Sequence, residues 1–408
     1  MTLMPVEDAL ALVLSDLAPL PAETVPVGAA VGRVLAHDMV ARRSQPAADM
    51  SAMDGYAVRA RDIETLPASL PVVGESAAGR PFADALPAGA AVRIFTGALV
   101  PPGADAVVMQ ENTRRECATL IVEEATPEGR NIRRAGFDFT EGRMILPAGR
   151  RLTARDVMLA AAANHATLEV RRRPRVAILQ TGDELVAPGE AVHPSDVVMS
   201  NVFGLLALAR DAGAQAHDLG RVGDTLDGTR AAIAKARAEG FDVLVTSGGA
   251  SVGDHDFMAP ALREEGVALT VQKIALRPGK PLMYGHGAGL RALGLPGNPV
   301  SSYVCALLFL VPMLQALQGM EQALFPRLPA RLAIGVKAND QRLDFMRAVS
   351  TPGVDGVPLV TPLSLQDSGM ISALSRADCL LVRPPFAPDS AAGEACEIVR
   401  LEPDRIRL

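Results

Sequence analysis

The sequence predicts a multi-domain protein of mixed α/β and β class. It has a central three-layer α/β/α domain with a mostly parallel sheet, a β-rich inserted domain, and a small C-terminal β-barrel or sandwich. Three observations predict this. Between Val176 and Gln318, apolar strand-like runs alternate with segments of helical period. Between Ser44 and Asp138, short apolar runs are separated by Pro and Gly. From Pro326 onward, short strands punctuated by Pro and Gly return.

Taken in order, Val6, Ala9, Leu10, Val13, Leu14 and Leu17 recur at helical spacing, with Glu7 and Asp8 in the first turn and Pro19 ending the pattern. The β-rich stretch follows. Helical character resumes at Leu152, with Thr153 as a candidate N-cap and Asp156 three residues later. The simplest division is a helical domain of residues 1–43 and 140–172 interrupted by a β-rich insertion of residues 44–139. Arg171-Arg172-Arg173-Pro174 reads as a solvated linker. An α/β domain, 173–325, then contains strands Val176–Gln180, Val243–Thr246 and Leu293–Leu295 and helices near 201–211, 226–238, 257–265 and 300–318. The last helix opens with Asn298-Pro299, the favoured residues at N-cap and N1. Residues 326–408 form the terminal β domain.

Composition excludes several classes. The chain has 408 residues, is 49% hydrophobic and 21% charged, and so is not globally disordered. A net charge of −6, no Trp and 3% aromatics argue against a nucleic-acid binder. The four cysteines form no C-x-x-C pair, which argues against a zinc ribbon or a disulfide scaffold. No run of ~18 apolar residues lacks charge or Pro, so no membrane span is expected. A reducing cytoplasm fits these features.

Ligands of open α/β sheets sit beyond the carboxyl ends of the strands. Four loops should project there: Thr181–Glu184, Gly223-Asp224, Ser247–Asp256 and Pro296–Pro299. The third places Gly248, Gly249 and Gly253 with Ser247 and Ser251 directly after a strand, where backbone N–H groups can approach an anion. Composition alone leaves phosphate binding and an ordinary turn both open. Asp183, Glu184, Asp224, Asp254 and Asp256 gather near the same edge. Singly each suits a cap; together they suit a metal–phosphate site, since Mg²⁺ takes one or two carboxylates plus substrate phosphates. Only four Lys occur, and two of them, Lys273 and Lys280, fall in one eight-residue window with Arg277. Fixed cations beside carboxylates suit a multiply charged anion. In the β-rich module, the turns around Asp54, Thr96, Arg133 and Asp138 carry polar groups.

Ser51-Ala-Met-Asp-Gly-Tyr-Ala, Thr96-Gly97, Asn131-Ile-Arg133-Arg134, Thr181-Gly-Asp-Glu184, Thr246–Gly253, Arg277-Pro-Gly-Lys280-Pro281 and Leu295-Pro-Gly-Asn-Pro299 together resemble one family. It is the molybdopterin molybdenumtransferases, which insert molybdate during molybdenum cofactor synthesis and also form the C-terminal part of gephyrin. The resemblance covers essentially the whole chain.

It implies an elongated four-part subunit, a homodimer with a shared active site, Mg²⁺, and insertion of molybdate into adenylylated molybdopterin with release of AMP. It implies catalytic roles for Asp54, Glu184, Asp224, Lys273 and Lys280. It implies substrate contacts at Thr96, Arg133, Asp138, Ser247, Gly248, Gly249, Ser251, Arg277, Pro296, Pro299, Arg347 and Ser368, the last pair toward the molybdate end. Asp183, Glu184, Asp224 and Asp256 are the implied metal ligands. Arg277 stands where familiar members are similar in having Lys; it keeps the charge but offers a planar fork. Two rivals share part of this pattern. A molybdopterin adenylyltransferase has a similar α/β domain but is usually one small domain, and a non-catalytic gephyrin-like scaffold would carry a linker or extra domain.

Overall fold

The computed structural model describes residues 3–249, 257–320, 326–353 and 355–401. The chain divides into two compact units, one of residues 1–23, 32–34 and 171–408 and one of residues 24–31 and 35–170.

In the first unit, strand Arg175–Thr181 lies within a six-stranded sheet. Gln215–Val222 and Val243–Ser247 flank it in parallel, and Leu290–Leu295 runs parallel to Val243–Ser247. Pro281–Gly287 and Ala268–Lys273 complete the sheet in antiparallel sense. The switch in direction has a local cause. Only Ala288 and Gly289, both at positive φ, connect Gly287 to its partner Leu290. Two residues close a hairpin, whereas a parallel crossover needs a dozen or more. The sheet is therefore mixed, parallel over four strands with an antiparallel edge.

Alternate residues of Arg175–Thr181 enter two different cores. Val176 and Ile178 pack with Val202 and Leu205 of helix Asn201–Asp211 and with the Pro299–Leu317 helical stretch. Ala177 and Leu179 pack with Ile233 and Ala236 of helix Leu226–Ala238 and with Met258 and Ala261 of helix Met258–Glu264. A strand buried on both faces, with helices over each, gives the three-layer arrangement. Val6, Ala9 and Val13 of the N-terminal helix Val6–Leu14 join the first of these cores.

The long apolar stretch after Asn298 is not one regular helix. Pro299–Cys305 and Val311–Leu317 are α-helical, and Ala306–Leu310 between them is a π turn. Pro312 has no N–H to give the Leu308 carbonyl and its ring crowds that carbonyl, so the ladder widens just before it. The stretch is apolar enough to cross a membrane, but 83% of its apolar window is buried within the protein. It is a core element.

The C-terminal strands close into a barrel. Leu343–Thr351 pairs with both Leu359–Pro362 and Cys379–Arg383, and the circuit runs on through Leu328–Leu332 and Ala395–Arg400. The sequence leaves barrel and sandwich open; the double pairing of one nine-residue strand decides for the barrel. Leu276–Arg277 adds a short parallel strand to Leu343–Asp344.

The second unit holds a separate six-stranded sheet in the order Ala106–Met109, Gly55–Val58, Ala91–Ile94, Ala68–Ser76, Thr119–Val122 and Thr113–Glu116. Its helix Ala154–Ala162 begins with a reciprocal cap. Asp156 accepts from the Thr153 N–H at 2.8 Å while the Thr153 hydroxyl accepts from the Asp156 N–H at 3.4 Å. Thr153→Ala should lower the stability of this unit by about 1 kcal/mol, read as an earlier urea midpoint by circular dichroism. An unchanged midpoint would contradict the cap.

Candidate active site

Register places the ends of the parallel strands at one edge. Thr181 pairs with Val222, Gln180 with Ser247, and Ser247 with Leu295. Met283 pairs with Gly294 and Lys273 with Pro281, which brings the turn from Lys273 to Lys280 to the same edge. Loops 181–184, 223–224, 247–249 and 296–299 therefore share a rim with both lysines.

Two glycines there are required by backbone conformation, and the first by a fixed contact as well. Gly248 has φ +96°, and a Cβ on it would lie 2.6 Å from the Thr181 carbonyl oxygen. Gly182 has φ +142°, and a Cβ on it would lie 2.4 Å from a Glu184 carboxylate oxygen. Beneath the Gly248 loop, the hydroxyls of Thr181 and Thr246 are buried without a partner. Ser247 is buried too; its hydroxyl accepts from the Asn201 amide at 2.8 Å, and that amide also donates to the Gly297 carbonyl at 2.8 Å. Ser247, expected to touch substrate, thus helps tie two rim loops together. Pro296 is buried, and Pro299 occupies the N1 position of its helix. Ser251, Asp254 and Asp256 lie outside the described residues.

The carboxylates of Asp183 and Glu184 are exposed and that of Asp224 is half-buried. Asp183 Oδ1 accepts from the Asp224 N–H at 3.3 Å. Among the described residues none of the three forms an ion pair, and no group of three or more His, Cys, Asp or Glu makes a ready cage. Hard carboxylates without an ion-pair partner or a closed cage fit Mg²⁺ held by one or two side chains plus substrate phosphates.

Lys273 and Lys280 likewise have no carboxylate partner among the described residues. Arg277 is different. Its Nε donates to Asp344 at 2.8 Å, its Nη2 to Asn339 at 2.9 Å, and Asp340 lies 3.4 Å from Nη1. The hydrogen bond to Asp344 raises the guanidinium pKa above its ordinary value. Its fork is occupied by the barrel, whereas Lys273 and Lys280 have no ion-pair partner among the described residues. Gly279, at φ +122°, lets the turn press on a core residue: a Cβ there would lie 2.3 Å from Cys305 Sγ.

In the barrel, Arg347 is 1% exposed. Its Nη2 donates to the carbonyls of Leu365 and Asp367 at 3.3 and 3.0 Å, and its Nε has no partner. Burial pushes its pKa down, against the pull of Asp344 and Asp367. Gln366 brackets the Arg347 backbone, accepting from its N–H at 3.0 Å and donating to its carbonyl at 2.9 Å. Ser368 accepts from the Asn298 amide at 2.9 Å.

In the second unit, Asp54 Oδ1 accepts from both the Thr96 N–H at 2.7 Å and the Thr96 hydroxyl at 2.8 Å. The backbone bond, then the hydroxyl, hold its carboxyl below the usual range. Arg93 lies over the rings of Tyr56 and Phe95, 5.0 and 4.8 Å from their centroids. Arg133 sits on a short strand paired with Met50–Ser51, and both Arg133 and Asp138 are exposed.

Sequence reasoning missed Asn201, Gln366 and Asp344, and read Asn298 only as a cap. A single amide at a helix start or in a loop carries no periodic signal, and Asp344 looks like any strand residue until its partner is seen. Arg277→Ala should leave the nearly buried Asp344 carboxylate unpaired and cost about 1–2 kcal/mol, discounted for the partial exposure of Arg277. Differential scanning calorimetry checks this; a transition at the wild-type temperature would rule it out.

Three family models match in sequence: MoeA N-terminal region (domain I and II) over residues 4–164, probable molybdopterin binding domain over 177–316, and MoeA C-terminal region (domain IV) over 329–401. A molybdopterin molybdenumtransferase of Haemophilus influenzae is 35% identical over 90% of this chain and 91% of its own length. Molybdopterin molybdenumtransferase 2 of Mycobacterium tuberculosis is 36% identical over 92% of this chain and 94% of its own. Two crystal structures of the molybdopterin biosynthesis MoeA protein of Pyrococcus horikoshii superpose with TM-scores of 0.84 and 0.83, at 30% and 27% identity. They cover 98% of this chain and 99% and 100% of theirs. With relatives this similar matched along nearly their whole length, the chain belongs to the MoeA-type molybdopterin molybdenumtransferase family.

Proposed function

We propose that this enzyme inserts molybdate into the dithiolene of adenylylated molybdopterin, with cleavage of the phosphate anhydride and release of AMP. The observation that carries the reading is the rim's unpaired charge. Asp183, Glu184 and Asp224 stand at the same sheet edge as Lys273 and Lys280, and none of these five has an ion-pair partner among the described residues. Unpaired charges of both signs suit a substrate that brings its own phosphates and, with them, a cation.

Asp183, Glu184 and Asp224 would hold Mg²⁺, which when bound supplies Lewis-acid polarisation of a phosphoryl oxygen. Lys273 and Lys280 offset the charge that builds on the departing AMP phosphate. The Gly248 N–H is already given to the Leu295 carbonyl at 3.2 Å, so a backbone contact from this loop to an anion falls to Gly249. The molybdate end is Ser368, half-buried on a loop whose carbonyls the buried Arg347 holds from beneath. No cysteine acts as nucleophile, because the sulfur ligands belong to the pterin. The protein works in the cytoplasm as a homodimer, and Asp54, Thr96 and Arg133 serve the reaction of the second copy.

Incubation of the protein with adenylylated molybdopterin and molybdate should release AMP and yield cofactor that reconstitutes an apo-molybdoenzyme. EDTA should abolish release and Mg²⁺ restore it, and Glu184→Gln or Lys280→Ala should lower kcat/KM by about a hundredfold. ATP-dependent adenylylation of free molybdopterin, with no AMP release, would instead identify an adenylyltransferase. A second measurement concerns the shared site. D54A and E184A chains, each inactive alone, should recover activity when mixed as heterodimers, and absence of recovery would refute the sharing.

A further inference from the structure

The loop 365–369 is held from two sides. The buried Arg347 guanidinium donates to its carbonyls at 365 and 367. On the other side, Asn298 Nδ2 donates to Ser368 Oγ at 2.9 Å and the Val300 N–H donates to the Ser368 carbonyl at 3.1 Å. Asn298 stands at the N-cap of Pro299–Cys305, where an Asn side chain ordinarily accepts an N–H of the first turn. It makes no such bond. The Ser368 carbonyl meets one of those N–H groups instead, which releases the Asn298 amide.

That exchange fixes the polarity of a hydroxyl. Serine carries one proton and two acceptor lone pairs. With the amide N–H on one lone pair, the Ser368 proton must point elsewhere. Among the described residues no protein acceptor takes it, and Ser368 is only half-buried. Asp367, next to it, already gives its carbonyl to Arg347 and its Oδ1 to the Gly369 N–H at 2.8 Å.

We propose that Asn298 is a positioning residue, whose amide presents the Ser368 hydroxyl as a proton donor to an oxyanion beside Arg347. The inference rests on the reading of Ser368 and Arg347 as the molybdate end. Molybdate accepts hydrogen bonds and donates none, so it gains from a hydroxyl whose proton is already directed outward. An Asp at 298 would reverse the polarity, drawing the Ser368 proton onto itself and adding a negative charge.

The test is a double-mutant cycle on purified full-length protein, with AMP release followed as molybdate is varied. N298A should raise the molybdate KM by about five- to tenfold and leave kcat within about twofold. N298D should raise KM further, and N298A/S368A should be no worse than S368A alone. A merely structural role would make the two substitutions additive and would not separate KM from kcat; either result overturns the proposal, as does a wild-type KM in N298D. Should N298A lower Tm, N298S keeps a favoured cap residue but is too short to reach Ser368, and carries the same cycle. If wild-type protein releases no AMP, the proposed function fails; if it does and the cycle is additive, only the positioning role fails.

Discussion

Arg277 fastens the turn that carries Lys280 to the long strand of the C-terminal barrel, and the rim of the first unit depends on that fastening. The guanidinium meets Asp344 through Nε at 2.8 Å and Asn339 through Nη2 at 2.9 Å. A lysine, with one nitrogen at the end of a flexible stem, could not reach both in fixed geometry. The neighbouring backbone pairs in the same direction, Leu276 with Leu343 and Arg277 with Asp344. Side chain and backbone thus hold one register, and Gly279 can seat on Cys305 only while the register holds.

With Arg277 occupied, the charges at the rim divide into two kinds. Arg277 and Arg347 are structural in their contacts, each bonded to fixed protein acceptors. Lys273, Lys280 and the three carboxylates have no ion-pair partner among the described residues. Charges that neutralise one another within the protein offer a ligand little, because binding must first separate them. Charges left solvated and unpaired keep their full interaction for a substrate, at the expense of some self-repulsion. The rim has that second character, which is why a polyanion arriving with a divalent cation fits it better than an uncharged substrate would.

Much of this was legible before any coordinates. Val176–Gln180 and Val243–Thr246 stand out as unbroken apolar runs because both faces of those strands are buried. The Thr153–Asp156 cap is visible because both partners are close in sequence. Strand Gln215–Val222 escaped, since its residues are mostly exposed at this edge of the sheet and alternate poorly. The antiparallel edge strands Ala268–Lys273 and Pro281–Gly287 escaped entirely, since Pro281, Gly285 and Gly287 read as turn residues. Arg347 could be placed only by resemblance; nothing in the sequence says that an arginine will be 1% exposed with an orphaned Nε. Long-range pairs such as Arg277 with Asp344 and Asn298 with Ser368 lie 67 and 70 residues apart, beyond any local pattern.

The rim also shows why its glycines are needed, which composition cannot. Reading Ser247-Gly248-Gly249 as a phosphate loop assumes that glycine is present to admit a ligand. At Gly248 the structure gives a nearer reason, since the Thr181 carbonyl would lie 2.6 Å from any Cβ. At Gly182 the nearest atom is the end of the flexible Glu184 side chain, which can swing aside, so there the backbone φ of +142° is what calls for glycine. Gly248 also needs a φ that L side chains avoid. Close approach of the strand ends therefore comes first, and backbone bonds seal it: the Gly248 N–H donates to the Leu295 carbonyl at 3.2 Å and the Gly182 N–H to the Val222 carbonyl at 3.3 Å. The glycines that let the central strands converge thus commit their own amides to that convergence, so at these two positions packing and backbone conformation, rather than affinity for an anion, are the constraints that demand glycine.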